Sequence, residues 1–265
     1  MDSSLLVFII AGFLAITAYI YLWYLPRKKR RAKHLASITT RAGFSFKGDI
    51  PLAPKEQFTP FRLFCLHSPG TMENVIKCSS PRFWIFDYEY HIPRDQDVRQ
   101  TVAVFEKGAN RWPTFIIESK ERERFTVAAM RMLTQKLANW QLNYQEIDFS
   151  SHLKFSKQYR VFCDGNQQDL KKLLKARILD FFVREKGWYV EKMDQWILIY
   201  RRGKCIKPKD LETFVKSTSL IFKVFEGWNK SFAICRKYQY WYFRQMEQIF
   251  TFVWRMSAPI GHEET

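Results

Sequence analysis

From Leu5 to Leu25 the chain reads LLVFIIAGFLAITAYIYLWYL, 21 residues without a charge. At helical rise this run extends roughly 30 Å, the thickness of a bilayer hydrocarbon core. The sequence therefore predicts a transmembrane helix over residues 1–26. Tyr19, Tyr21, Trp23 and Tyr24 gather at its C-terminal end, where amphipathic rings favour the headgroup layer. Arg27, Lys28, Lys29, Arg30, Arg31 and Lys33 follow without a spacer, a basic juxtamembrane segment ending near residue 42. A secretory signal peptide would show the reverse order, with basic residues first and a short apolar core after them. The positive-inside bias puts the N-terminus outside and the remainder in the cytoplasm, a single-pass topology.

The basic run suits two roles at once. It orients the span, and it can contact anionic lipid, with each Lys or Arg near such a surface contributing on the order of 1 kcal/mol, screened by salt. A formal net charge of +17 shows that the positive excess extends beyond this run. A basic domain tethered near a membrane can face anionic headgroups, nucleic acid or an acidic partner protein, and proximity favours the headgroups. The five cysteines (Cys65, Cys78, Cys163, Cys205, Cys235) contain no CxxC pair, so the sequence points to neither a disulfide framework nor a zinc site. With 47% hydrophobic residues, including 24 Phe and 9 Trp, a buried core is expected.

Downstream, residues 43–120 read as an antiparallel β-rich module, with candidate strands at Phe61–Leu66, Asn74–Cys78, Phe83–His91, Arg99–Glu106 and Thr114–Glu118. The period is clearest in RFWIFDYEYH. Trp84, Phe86, Tyr88 and Tyr90 fall on one face, and Phe83, Ile85, Asp87, Glu89 and His91 on the other. Residues 121–146 form a helical connector, with Phe125, Ala129, Met132, Leu133 and Leu137 at helical spacing. Residues 147–227 read strand, helix, strand, strand, helix, a small α+β module. Its first helix, over GNQQDLKKLLKARILDFFVREKG, turns Leu170, Leu173, Leu174, Ile178, Phe181 and Phe182 inward. Residues 228–265 carry an aromatic stripe from Ile234 to Val253, which suits core packing, a homo-oligomer or a membrane interface. The expected class is α+β with one N-terminal transmembrane helix.

FWIFDYEYHI, RQTVAVF, PTFIIES, IDFSSHLKFSKQYRVF and WILIYRRGKCIKPKDLETFV, in that order, resemble a family of uncharacterised bacterial membrane-anchored proteins with FDYxY and RQTVA strands. The resemblance covers roughly Gly43 to Phe225. It implies the fold above and a location at the bacterial inner membrane, and it carries no activity or site. Where that family often has a glycine-rich loop after FDYxY, this chain has HIPRDQDV.

For chemistry, Asp87, Glu89 and His91 form a D-x-E-x-H series on one strand face, with alternate side chains about 7 Å apart. Two of them could ligate a metal. The plainer reading is a solvated sheet face whose charges pair with Arg99 or Lys107 across the hairpin. His67 beside Ser68, and Cys163 beside Asp164, lack any nucleophile motif. No Walker A, GxGxxG or HExxH pattern occurs, and no cofactor is implied. Lys171, Lys172, Lys175 and Arg177, with YRRGK at Tyr200–Lys204, make a basic surface, but the tether argues against nucleic acid. The sequence thus points to a non-enzymatic binding or adaptor protein at the inner membrane, with anionic lipid and a protein as partners. The alternative is a metal-dependent enzyme using Asp87, Glu89 and His91.

Overall fold

A computed structural model describes residues 3–19, 21–22, 25–41, 43–50, 58, 61–65, 70–79, 82–91, 97–106, 113–121 and 144–226. The helices are α1 (Ser3–Tyr19), α2 (Leu25–Arg41), α3 (Arg62–Cys65), α4 (Leu153–Ser156), α5 (Gln167–Leu173), α6 (Ala176–Arg184) and α7 (Leu211–Glu226). The strands are β1 (Ser45–Ile50), β2 (Thr71–Ser79), β3 (Arg82–Tyr90), β4 (Val98–Glu106), β5 (Thr114–Ser119), β6 (Gln145–Ile147), β7 (Tyr159–Asp164), β8 (Tyr189–Met193) and β9 (Trp196–Tyr200).

The expected transmembrane span is corrected. Helix α1 ends at Tyr19 after 17 residues, which at helical rise is about 26 Å, and Leu25 and Pro26 already belong to the basic helix α2. Among the described residues no helix is long and apolar enough to cross a membrane. The single-pass topology, with an outside N-terminus and a cytoplasmic domain, loses its basis with that span.

The nine strands among the described residues form one antiparallel sheet, in the order β1-β2-β3-β4-β9-β8-β5-β7-β6. The two modules read from the sequence share it: β4 pairs with β9, from Val102 opposite Tyr200 to Glu106 opposite Trp196, and β5 lies between β8 and β7. Val102, Ala103 and Val104 are fully buried, so a free edge at β4 would expose apolar groups on both faces.

The alternation in β3 holds as read. Phe83 and Ile85 enter a core beneath the helices, with Leu35 of α2, Phe182 of α6 and Phe222 and Phe225 of α7. The Phe105 and Phe222 rings stack at 4.7 Å. Trp84, Phe86, Tyr88 and Tyr90 line a second core on the opposite face with Phe58, Phe61 and Trp196. The expected strand Phe61–Leu66 is instead the short helix α3. Phe61, Leu63 and Phe64 are all buried, a spacing that a helical turn satisfies and alternation does not, and Phe61 O accepts from Phe64 N and Cys65 N.

The single helix expected before Gly187 breaks into α5 and α6 at Leu174 and Lys175, which has extended backbone. The predicted inward residues are all buried, and the break adds Leu179 to them. The connector helix stripe of Phe125 to Leu137, Lys107, His67 and the aromatic tail from residue 228 lie outside the described residues.

Candidate functional site

Helix α2 divides the basic run by its period. Arg27, Lys29, Arg30 and Lys33 are exposed, whereas Lys28 and Arg31, one turn apart, face the sheet. Arg31 grips Asp87 of β3 with two parallel bonds, Nε to Oδ2 at 2.8 Å and Nη2 to Oδ1 at 2.9 Å, and its Nη1 donates to Ile206 O at 2.6 Å. Lys28 pairs with Glu73 of β2. Arg99 of β4 bridges the two acids, 2.9 Å from Glu73 and 3.5 Å from Asp87, and lies 3.9 Å from Glu89.

Glu73 and Asn74 are consecutive, so regular alternation would send them to opposite faces. Asn74 has φ +53°, an irregularity between Glu73 and Ile76 breaks the register with β3, and both side chains reach the same cluster. Asn74 Nδ2 donates to Asp87 Oδ2 at 2.8 Å, and Thr101 Oγ1 donates to Oδ1 at 2.8 Å. Cys205 Sγ lies 3.4 Å from Oδ1. Burial works against the Asp87 charge, but the Arg31 hydrogen bonds and charge, with Arg99 and Thr101, outweigh it and hold the carboxyl below its usual value.

The three positive charges of Lys28, Arg31 and Arg99 are equal in number to the three negative charges of Glu73, Asp87 and Glu89 that they meet. The cluster fastens α2 to the sheet. Asp87, Glu89 and His91 share a strand face as expected but do not converge. Asp87 is 2% exposed and fully engaged, whereas His91 is exposed and paired with Asp97 at 2.9 Å. The Asp87 end of that face is buried rather than solvated, and the pairing with Arg99 is present. Among the described residues no group of three His, Cys, Asp or Glu could hold a metal ion.

The other face of the sheet carries a buried carboxylate that the sequence reading passed over. Glu191 of β8 accepts from Tyr200 Oη at 2.9 Å and from Leu63 N at 3.3 Å, and burial pushes its carboxyl up to about 7. Arg62 reaches Glu118 at 3.3 Å beside it. The only clue in the sequence is the adjacent charged pair Glu191 and Lys192 inside the strand YVEKM.

A cavity of about 520 Å³ opens where β5 and β9 end and β8 begins, lined by Arg201, Arg202 and Lys204 with Ser119, Tyr189 and Glu121. The turn after β9 builds it: Lys204 N donates to Arg201 O at 3.1 Å, and Gly203 has φ +62°, a left-handed position that glycine fills without strain. The Arg201 guanidinium stacks 4.2 Å over the Trp188 ring. Arg202 is hydrogen-bonded to Tyr90, whose hydroxyl also feels burial.

No family model matches the chain, and no curated protein matches it in sequence. The fold is similar to the crystal structure of the mycobacterial trehalose monomycolate transport factor A, TtfA, at 8% identity and a TM-score of 0.49, over 73% of this chain and 93% of that one.

Proposed function

We propose that the protein is a non-enzymatic binding protein held at an anionic membrane surface by α1 and the outer face of α2, with the sheet domain offered to a protein partner. The observation that carries this reading is α1 itself. Phe8, Phe13, Leu14 and Ile16 are 75%, 69%, 61% and 62% exposed, a contiguous apolar surface joined to a helix whose outer face is basic.

Magnitudes order the two contributions. Burying one large apolar side chain is worth roughly 1.5–3 kcal/mol, and one basic residue near anionic lipid about 1 kcal/mol. Lys28 and Arg31 are occupied by Glu73 and Asp87, so the electrostatic share rests on the exposed Lys29, Arg30 and Lys33. Apolar insertion of α1 dominates, and charge selects the lipid.

Flotation with phosphatidylcholine vesicles, with and without phosphatidylglycerol, tests this. The full chain should float with both and more strongly with the anionic set. A chain beginning at Pro26 should float only with anionic vesicles and detach in high salt. A full chain that stays at the bottom of the gradient with either lipid would defeat the reading.

A further inference from the structure

The cavity under Arg201, Arg202 and Lys204 takes its meaning from where it sits. Register places Tyr200 opposite both Val102 and Tyr189, and Asp87 opposite Thr101, so these residues share one end of the sheet. Helix α2 starts at that end, through the Lys28–Glu73 and Arg31–Asp87 pairs, and finishes at the other, where Phe44 meets Phe83. Helix α1 therefore joins the domain at the end where the cavity opens.

We propose that this cavity binds a phosphate group and that, at a membrane surface, it takes the phosphate of an anionic lipid headgroup. Three cationic side chains line it with one acid, Glu121, and a second carboxylate, Glu185, lies 3.9 Å from the Arg201 guanidinium outside the lining. The Arg201 side chain is about a third exposed, its Nε makes no hydrogen bond among the described residues, and its guanidinium presents a planar fork of donors suited to phosphate oxygens. The guanidinium is already oriented by its stack on Trp188, so little side-chain entropy is lost on binding. Gly187 has φ +79°, and a Cβ there would collide with the Glu121 carboxylate, so glycine leaves room for that acid at the rim. The cavity volume, about 520 Å³, lies within the usual range for small-molecule sites and exceeds the needs of a bare ion.

The lipid source rests on the membrane-surface reading, whereas the phosphate chemistry stands without it. Calorimetry on the full chain separates the two, with soluble dihexanoyl phosphatidic acid and inorganic phosphate as probes and sodium chloride at matched ionic strength as the control. Saturable binding of dihexanoyl phosphatidic acid is expected, about tenfold weaker in Lys204→Glu, a change at an exposed position, and weaker again when Arg201→Gln is added. The Lys204→Glu protein should still float with phosphatidylcholine vesicles through α1. Inorganic phosphate binding as tightly as the lipid would support the cavity and assign it a soluble phosphate. Binding of the soluble lipid by a protein that fails to float would uphold the cavity while removing the membrane reading. No saturable binding of either probe, or equal binding by Lys204→Glu, would overturn the proposal.

Discussion

Arg31 and Asp87, 56 positions apart, meet edge to edge through two hydrogen bonds of 2.8 and 2.9 Å in a site where Asp87 is 2% exposed. The pair joins the N-terminal basic helix to the third strand. With Lys28–Glu73 beside it, the pair ties α2 to the sheet at two successive turns.

Removing one partner strands the other. Asp87→Ala leaves Arg31 and Arg99 without the acid they share, at an expected cost of about 3–5 kcal/mol in urea unfolding. Arg31→Met should cost less, because Arg99, Asn74 and Thr101 still contact the carboxylate. A double-mutant cycle on the two should show coupling above about 1 kcal/mol, and additivity would mean the bidentate geometry contributes nothing. The acid limb has a definite sign. The folded carboxyl lies below its ordinary value of 3.8, so its contribution is complete above that value and is lost as pH falls through the folded one. The stability gap between wild type and Asp87→Asn should close on acidification.

The strand faces were legible because alternation is local: ten residues of RFWIFDYEYH suffice to sort Trp84 from Phe83. The depth of Asp87 was not legible, because what buries it is α2, which reaches it from 56 residues upstream. The same charge run was readable as basic but not as divided, since the division depends on which turn of α2 meets Glu73 and Asp87. The union of the two modules hangs on the β4–β9, β5–β7 and β5–β8 pairings, whose partners lie far apart in the sequence and share only generic apolar character. The span reading failed at its C-terminal end, because Leu25 and Pro26, which close the apolar run in the sequence, belong to the basic helix α2.

Gly70 precedes β2 at a close approach. An added Cβ would lie 2.5 Å from Glu89 O and 2.6 Å from the Tyr88 ring, and the backbone atom cannot yield as a flexible side chain would. Gly70→Ala should lower stability by about 1–3 kcal/mol, measured by urea unfolding, whereas Gly12→Ala, with nothing within 4 Å, should change it little.

Glu191 should give the opposite pH signature to Asp87. Its folded value of about 7 stands above the ordinary glutamate value of 4.5, because burial disfavours the charged form, so the folded state holds the proton more tightly. Stability is fully present below about pH 4.5 and declines as pH rises through 7, by on the order of 3 kcal/mol in all. Glu191→Gln should flatten that decline and be the more stable protein at pH 8. Parallel melting curves for the two from pH 5 to 8 would remove Glu191 as the cause.

The division of the basic run predicts that position within it, not charge alone, decides the effect of a substitution. Arg30 and Lys33 are exposed and face away from the sheet, so Arg30→Glu with Lys33→Glu should leave the unfolding midpoint nearly unchanged. The same pair removes two attractive charges and adds two repulsive ones. At about 1 kcal/mol per charge, it should weaken binding to anionic vesicles more than a hundredfold in low salt and far less in high salt. Arg31→Glu, one residue away, should behave in reverse. It places a third acid against Asp87 and Glu73 and should unfold the domain before any lipid effect can be read. Circular dichroism melts and vesicle flotation on the same variants check both halves. Equal loss of stability in the two sets would mean that α2 is not seated as the Arg31–Asp87 pair requires.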